Sequence, residues 1–399
     1  LAIMVVTLSC GPGAPGPQGG TSKTTGETTD MLPTGSGDSG GTKTPTTGEP
    51  APFDPCASDE AVLIGDFSFT DSLHILADAQ GWQLAFYARP TQKDAPAGAH
   101  FVRPEGDSVV LLEVEDQRMA VSRTPGQVLV CWDDGITSKD RDHGFCMTTD
   151  AALNPVTGIN QTPYRIIQSI VEFPGVTYAM ASRMWPIDPH GLALGDALDI
   201  GSTPLAFGEN WFLAARFAVP TCPNPDENAL CDVEYAPFDP QGGQLAPFLP
   251  LSDTTLASNE VFRAAISGDH YLLAWTKGDT WEVRVLTRDN VVVRAESVDQ
   301  AIQVGLVYGV PQGFLLLVSV GDDLDNRTWA LWPLDATGAA LSAPIPLSEI
   351  DADASLLDFK VGASGDGLAL AWVTNSDLLA GDSDSVFFRS LGCSWPPDL

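Results

Sequence analysis

The chain has 399 residues, of which 44% are hydrophobic and 18% are charged, and its formal net charge at pH 7 is −32. A polyanion of this size repels the phosphate backbone of nucleic acids and the headgroups of anionic lipids. The composition therefore argues against nucleic-acid binding and against electrostatic docking to a membrane, and it favours an exported protein kept soluble by its charge.

The sequence opens LAIMVVTLSCGPG, in which eight largely apolar residues precede Ser9 and Cys10. A run this short cannot span a bilayer, which needs about 20 apolar residues, but it suits the end of a signal peptide over residues 1–10. A signal that ends in cysteine followed by Gly11 resembles the lipobox of bacterial lipoproteins, although Leu8 stands one place nearer the cysteine than the usual leucine. The resemblance implies that Cys10 becomes a lipidated N-terminus. The alternative is an ordinary secretory signal with an incidental cysteine.

The next segment, residues 11–55, is rich in small and turn-forming residues: 11 Gly, 8 Pro, 10 Thr and 3 Ser fill 32 of its 45 positions. Such a segment cannot bury enough apolar surface to offset the entropy lost on ordering, so we expect a disordered linker. Its TTGE and PTTGEP motifs resemble the tethers of myxobacterial surface lipoproteins. That resemblance implies an anchored domain in the cell envelope, at the outer membrane or cell surface of a Gram-negative bacterium.

A pattern of an apolar strand, an aspartate, a turn and a second strand recurs along the rest of the chain. It is centred on Asp188, Asp239, Asp289 and Asp335, which are 51, 50 and 46 residues apart, and Asp150 heads a further copy. Aspartate suits the first position of such a turn because its side chain accepts hydrogen bonds from nearby backbone N–H groups. Strands entered from tight turns accompany several copies, with the sequences GQVLVCW, GDHYLLAW and GDGLALAW.

Four short strands in every ~40–50 residues are typical of a β-propeller, in which each repeat forms one radial blade. We predict an all-β fold, a propeller of about seven four-stranded blades over residues 56–395, with six or eight blades as alternatives. Residues 160–190 hold few turn signals and predict a truncated third blade. The last blade lacks a fourth strand, so we predict that the strand at 61–69 completes it and closes the ring.

Three tryptophans, Trp132, Trp275 and Trp372, recur at the end of the second strand of their repeats. Repetition at one structural position indicates packing between blades rather than a surface on which sugars stack. We therefore expect these indoles to lie in the core.

The chain contains seven cysteines, an awkward number for an exported protein unless one is modified, and setting Cys10 aside leaves six. Six cysteines permit fifteen pairings. The propeller layout selects one of them, with the disulfides Cys56–Cys393, Cys131–Cys146 and Cys222–Cys231. Three such bridges suit an oxidising compartment.

Several connections between second and third strands are acidic, and in a propeller these connections emerge on one face. Their convergence predicts a ligand-binding or cation-binding face formed by Asp133, Asp134, Asp140, Asp142, Asp226, Glu227, Asp322, Asp323, Asp325, Asp382 and Asp384. Oxygen-rich loops of this kind can bind Ca²⁺, although charged loops are usually only solvated. We expect no other cofactor, since no histidine or cysteine pattern indicates a metal site.

These features predict a monomeric, lipid-anchored binding or scaffolding module for a protein or glycan rather than an enzyme. One alternative is a hydrolase or lyase that acts on an extracellular polymer at the propeller axis, where loops from several blades meet. For that alternative the sequence singles out no catalytic residue. A third alternative is a structural protein of the cell envelope.

Overall fold

The computed structural model describes residues 61–78, 81–91, 97–104, 108–113, 118–124, 126–133, 144–163, 169–181, 183–217, 233–251, 262–277, 280–298, 302–321, 328–348, 350, 355–364, 367–375 and 383–391. The predicted signal segment with Cys10 and the linker 11–55 lie outside these residues. All regular secondary structure in the described ranges is β-strand. Within them there is no helix of the length and apolarity that a membrane crossing requires.

The strands follow one another at short intervals along the chain. They are β1 (Val62–Asp78), β2 (Gly81–Pro90), β3 (Gly98–Val102), β4 (Ser108–Glu113), β5 (Met119–Thr124), β6 (Gln127–Asp133), β7 (Gly144–Asp150), β8 (Asn160–Thr162), β9 (Ser169–Phe173), β10 (Val176–Met180), β11 (Met184–Ile187), β12 (Thr203–Phe207) and β13 (Phe212–Phe217). The second half contains β14 (Val233–Phe238), β15 (Leu249–Pro250), β16 (Phe262–Ser267), β17 (His270–Lys277), β18 (Thr280–Thr287), β19 (Val292–Val298), β20 (Ile302–Val310), β21 (Gly313–Val320), β22 (Thr328–Asp335), β23 (Ile345–Pro346), β24 (Ser355–Ser364), β25 (Gly367–Asn375) and β26 (Asp384–Leu391).

These strands form six antiparallel sheets, numbered here in chain order. Sheet 1 has seven strands in the order β24-β25-β26-β1-β2-β3-β4. Sheets 2, 4, 5 and 6 have four strands each, β5–β8, β12–β15, β16–β19 and β20–β23, and sheet 3 has the order β11-β10-β9. The predicted all-β class and its repeated four-stranded antiparallel sheets are thus confirmed.

The burial of individual strands follows from their alternating sequences. In β18, TWEVRVLT, the side chains of Trp281, Val283 and Val285 are buried and pack toward sheet 6, while Glu282 and Arg284 between them remain partly exposed. Successive side chains of a strand point to opposite faces of the sheet, so one apolar face results from this spacing.

Strand β25 is apolar on both faces and is buried along its whole length. Its residues Leu368, Leu370 and Trp372 pack with sheet 6, and the alternate residues Ala369, Ala371 and Val373 pack with the first strands of sheet 1. A strand covered on both sides needs a continuous apolar run, which explains the sequence LALAWV.

The predicted aspartate turns form directly after the third strand of their sheets. Oδ1 of Asp188 accepts hydrogen bonds from the backbone N–H of His190 and of Leu192, both over 2.8 Å. Asp150, Asp239 and Asp335 likewise accept from the residues two and four positions later, over 2.7–2.9 Å.

In sheet 5 the turn is built differently from the sequence prediction, which centred it on Asp289. Thr287 takes the position of the aspartate: its backbone N–H donates to the carbonyl of Val291 over 2.9 Å, and its Oγ1 accepts from the N–H of Val291 over 3.2 Å. The turn therefore starts two residues before Asp289. A threonine hydroxyl performs the same local hydrogen bonding, so a pattern based on aspartate does not include this turn.

Sheet 3 is shorter than its neighbours, as the scarcity of turn signals at 160–190 indicates. Its place for a fourth strand is occupied by two isolated bridges, Met184 with Leu198 and Ile187 with Ala193. The segment after β11 thus follows the sheet without forming a continuous ladder.

Strand β1 belongs to two sets of partners. Its first part pairs with β26, from Val62 opposite Phe388 to Phe67 opposite Asp384, and its later part pairs with β2 as far as Asp78. The register shifts between Asp71 and His74, where Ser72 has a φ of 58°. The first described strand of the chain therefore lies beside the last one.

The predicted disulfide Cys131–Cys146 is confirmed. The two residues lie directly opposite each other on β6 and β7, with Cα atoms 4.1 Å apart and an S–S distance of 2.07 Å. The other two predicted disulfides, Cys56–Cys393 and Cys222–Cys231, lie outside the described residues.

Apolar clusters connect each sheet to the next along the chain. Clusters join sheets 1 and 2, 2 and 3, 3 and 4, 4 and 5, 5 and 6, and sheet 6 with the C-terminal strands of sheet 1. A seventh cluster joins the C-terminal strands of sheet 1 to β1, β2 and β3. The three repeated tryptophans, Trp132, Trp275 and Trp372, lie buried in these interfaces.

Candidate functional site

The first strands of successive sheets lie next to one another, since β1 contacts β5, β5 contacts β9, β12 contacts β16 and β16 contacts β20. In an antiparallel sheet the hairpin after the first strand and the connection after the second strand emerge at opposite ends. We call these the hairpin end and the loop end. The predicted acidic connections belong to the loop end.

A cavity of about 500 Å³ lies at the hairpin end. Its walls come from the final residues of five first strands, β1, β5, β9, β12 and β24, and from the hairpins that follow them. We call it the inner-strand cavity. Its polar lining is Ser122, Arg123, Glu172, Glu209 and Asn210, and its aromatic lining is Trp82, Phe173 and Phe207.

Strand β5 contributes Ser122 and Arg123 to this lining, and their side chains form hydrogen bonds to the two neighbouring sheets. Ser122 and Arg123 are consecutive, so their side chains point to opposite faces. The hydroxyl of Ser122 donates to Oε1 of Glu172 on β9, and Nη2 of Arg123 donates over 2.5 Å to Oε1 of the buried Gln83 on β2. These contacts hold one wall of the cavity to sheets 1 and 3.

The indole of Trp82 is positioned by a glycine on β24. A Cβ atom at Gly362 would lie 2.6 Å from Cγ2 of Ile75 and 3.1 Å from Cζ3 of Trp82. A side chain at this position would displace Ile75 and press on the indole, so glycine lets the β24 backbone approach the ring without moving either. The indole thereby forms part of the cavity wall.

Glu209 and Asn210 lie on the hairpin between β12 and β13, and both are exposed. The hairpin is closed by a hydrogen bond from the N–H of Gly208 to the carbonyl of Trp211 over 2.9 Å. The buried indole of Trp211 donates to the carbonyl of Gly268 in sheet 5 over 3.1 Å. The hairpin is thus fixed to the next sheet, and its two polar side chains are carried on a rigid support.

A second polar group lies nearer the start of the first strands, around His74. Nε2 of His74 donates to the carbonyl of Met119 on β5 over 2.9 Å. Burial, with a smaller contribution from the charge of Lys360, lowers the pKa of His74 to about 4, against opposing effects of the Met119 hydrogen bond and of Asp358. The imidazole is therefore neutral at neutral pH and joins sheets 1 and 2.

Lys360 and Asp358 on β24 act on this histidine, and Asp71 on β1 belongs to the same cluster through its interaction with Asp358. Burial raises the pKa of Asp71, although the backbone N–H of Ser72 and the guanidinium of Arg118 act in the opposite direction. Nζ of Lys360 lies 3.0 Å from Oδ1 of Asp358 on β24. The acidic and basic groups balance each other, so this cluster is suited to holding the strands together.

A second cavity, of about 600 Å³, lies at the loop end of sheets 3 and 4 and is lined by Arg183, Asp199 and Arg216. The guanidinium of Arg216 donates to Oε2 of Glu234 over 3.0 and 3.1 Å and stacks 3.7 Å from the ring centre of Phe248. Asp199 accepts a hydrogen bond from the N–H of Gly201. Arg216 and Asp199, two of the three charged residues of this cavity, are therefore engaged within the protein.

Most of the predicted acidic face lies outside the described residues. This holds for Asp134, Asp140, Asp142, Asp226, Glu227, Asp322, Asp323, Asp325 and Asp382, and the structure describes Asp133 only as part of the backbone of β6. Among the described residues there is no group of three or more His, Cys, Asp or Glu side chains that could hold a metal ion. The acidic face and its Ca²⁺ site stay predictions.

The structure gives Asp384 a different place from the exposed face expected of it. The residue lies in β26 and is only 4% exposed. Oδ2 accepts from the N–H of Thr70 over 2.7 Å, and Oδ1 accepts from the side-chain amide of Asn375 over 2.8 Å. Its carboxylate is used inside the protein.

No known protein-family model matches the sequence, and no curated protein matches it either. In fold, the chain is similar to the β-propeller domain of the Trilobed protease from Pyrococcus furiosus, with a TM-score of 0.49, 8% identity, and coverage of 83% of this chain and 100% of that one. It is also similar to the polysaccharide lyase Uly1, with a TM-score of 0.47, 10% identity, and coverage of 80% and 90%.

A further similarity, to prolyl endopeptidases, has a TM-score of 0.34 and 11% identity and covers 79% of this chain. The chain spans only about half, 54%, of the length of that protein. At these scores the similarities assign neither a family nor an activity to this chain.

Proposed function

We propose that this chain is a seven-bladed β-propeller that acts as a binding module through the inner-strand cavity. Sheets 2 to 6 supply five blades. The seven-stranded sheet supplies two more, because β24, β25 and β26 take the start of β1 as a fourth strand, while the rest of β1 continues into β2, β3 and β4. The unbroken succession of apolar interfaces from sheet 1 back to sheet 1 supports a closed ring.

The inner-strand cavity is the single observation that carries the binding function. It gathers polar side chains from sheets 2, 3 and 4 and the indole of Trp82 from sheet 1. Its volume of about 500 Å³ is typical of ligand sites. The wall contacts of Ser122 and Arg123 hold these groups in place without a ligand. A preformed site loses little conformational freedom on binding, which favours affinity.

The location of the protein belongs to the same proposal. The signal-like residues 1–10, the lipobox-like Cys10 and the linker 11–55 support an exported module tethered to the outer membrane or cell surface. Mass spectrometry of the mature N-terminus tests this: a lipid-modified Cys10 is expected, and a mature chain that starts elsewhere without lipid contradicts it.

Hydrogen exchange of the full chain with and without fractions of cell-envelope glycan and protein tests the binding function. We expect slower exchange at the hairpin end, around residues 208–211 and 170–174. Slower exchange confined to the acidic connections 134–143, 223–228 and 376–382 would instead favour the loop end. No change at either end in any fraction contradicts a binding module.

One alternative is an enzyme that cleaves an extracellular polymer. Glu172 and Glu209 line the cavity together with the indole of Trp82, and a pair of carboxylates is what acid–base cleavage of a glycosidic bond needs. Polymer digestion by the full chain tests it: released fragments that Glu172→Gln and Glu209→Gln each abolish favour the enzyme. Binding without fragments favours the module.

A further inference from the structure

We infer that the ligand of the inner-strand cavity is a neutral oligosaccharide, an inference that rests on the proposed binding function. The indole of Trp82 is one reason. It lines the cavity and is partly exposed, and its ring lies close to the backbone of Gly362. The C–H face of a sugar ring packs against an aromatic face, since the ring offers a large rigid apolar surface at low entropic cost.

The polar lining suits hydroxyl groups. Glu172 and Glu209 offer acceptor oxygens, Arg123 offers donors, and the amide of Asn210 offers both. A sugar hydroxyl donates one hydrogen bond and accepts others, so neighbouring hydroxyls pair with a mixture of planar donors and acceptors. A lining of one kind alone would favour an ion.

Charge separates neutral sugars from the other glycans. The chain carries a formal charge of −32, and two carboxylates line the cavity, so an acidic oligosaccharide is repelled. A cationic amino sugar is attracted to the carboxylates but places its ammonium group beside Arg123 as well. A neutral hydroxyl can donate a hydrogen bond to a carboxylate and accept one from the guanidinium of Arg123. For this reason the proposed ligand is neutral.

The size of the cavity sets the length of the ligand. A volume of about 500 Å³ lies within the range of small-molecule sites, so the cavity suits a short oligosaccharide rather than a long polymer.

Isothermal titration calorimetry of the full chain tests the inference with four probes: cellotetraose and chitotetraose as neutral sugars, tetragalacturonate as the acidic one and the glucosamine tetramer as the cationic one. We expect at least one neutral probe to bind at least tenfold more tightly than both charged probes. Asn210→Ala and Glu209→Gln are expected to weaken that binding at least fivefold.

The matched control is Glu282→Gln, because this residue lies on β18 away from the cavity and accepts a hydrogen bond from Ser297. Circular dichroism and thermal unfolding check that each variant is folded. Binding that Asn210→Ala and Glu209→Gln leave unchanged overturns the inference, as does tighter binding of a charged probe.

The outcome also separates this inference from the proposed function. If no probe binds but an envelope protein slows hydrogen exchange at residues 208–211, the sugar ligand is wrong and the binding module stands. If neither the probes nor any envelope fraction affects the hairpin end, both are wrong.

Discussion

The backbone N–H of Thr70 donates to Oδ2 of Asp384 over 2.7 Å, although the two residues are 314 positions apart. Both are buried, and the side-chain amide of Asn375 donates to the second oxygen of the same carboxylate. The hydrogen bond continues the pairing of β1 with β26 beyond the last ladder pair, Phe67 opposite Asp384. One carboxylate thus joins the two ends of the described chain.

Replacing Asp384 by alanine is expected to destabilise the protein by about 2–3 kcal/mol, because two donors lose their acceptor inside the protein. Urea unfolding measures the change. Ser385→Ala is the matched control, since its hydroxyl bonds to Asp66 at an exposed position and its loss should cost less than about 0.5 kcal/mol. If Asp384→Ala costs no more stability than Ser385→Ala, the hydrogen bonds of the Asp384 carboxylate do not stabilise the fold.

Removing the Cys131–Cys146 disulfide with the double variant Cys131→Ser/Cys146→Ser is expected to cost about 3 kcal/mol, the value for a loop near 15 residues. Unfolding with and without reductant measures it. If the predicted Cys56–Cys393 and Cys222–Cys231 bridges also form, the double variant will still lose stability in reductant. A double variant insensitive to reductant contradicts those two predictions.

Gly191→Ala is expected to destabilise the protein by about 2–4 kcal/mol. Its φ is +80°, and a Cβ atom there would lie 2.3 Å from Cβ and 2.6 Å from Sγ of Cys146, so backbone strain and overlap add. Gly175→Ala isolates the strain, because its φ is +86° and nothing lies within 4 Å of the added atom. We expect it to cost about 1 kcal/mol, and a cost equal to that of Gly191→Ala would contradict the overlap.

The low pKa of His74 predicts a loss of stability in acid. The histidine is harder to protonate in the folded protein, with a pKa of about 4, than in the unfolded chain, with 6.5. The contribution of His74 to the free energy of unfolding is therefore complete above pH 6.5 and declines as the pH falls from 6.5 toward 4. Below pH 4 it levels off, after a total loss of roughly 3 kcal/mol.

Chemical unfolding of the wild type and His74→Gln at pH 7 and pH 4.5 measures this contribution. Glutamine keeps an N–H donor for the carbonyl of Met119 but does not titrate, so its stability should fall less between the two pH values. His100→Gln is the comparison variant. Burial also lowers the pKa of His100, but no charged group contributes to that shift. Identical pH dependence of wild type and His74→Gln would be inconsistent with the assignment.

The sequence predicts those parts of the fold that depend on neighbours along the chain. The strand pattern is local, and so are the aspartate turns at Asp150, Asp188, Asp239 and Asp335. Cys131 and Cys146 lie on consecutive paired strands, so their pairing also depends on neighbours along the chain. The same locality explains the error at Asp289. A motif based on one residue type cannot distinguish it from Thr287, which bonds in the same way.

The candidate site could not be predicted in this way. Arg123, Glu172 and Glu209 come from sheets 2, 3 and 4 and share no motif, and each stands at an ordinary strand end or hairpin. Which face a strand-end side chain occupies depends on register and on the packing of adjacent sheets. Asp384 shows the converse case, since its sequence context indicates an exposed loop while its pairing with β1 buries it.

By itself, then, the sequence determined the all-β class, the repeated hairpins and one disulfide, because period-two alternation and turn chemistry act over a few residues. Only the tertiary structure decided that β1 runs on past the predicted strand 61–69 to pair with β2 as well, and that five strand ends meet around one cavity. Those features arise from apolar faces packing between sheets, and that packing joins residues hundreds of positions apart.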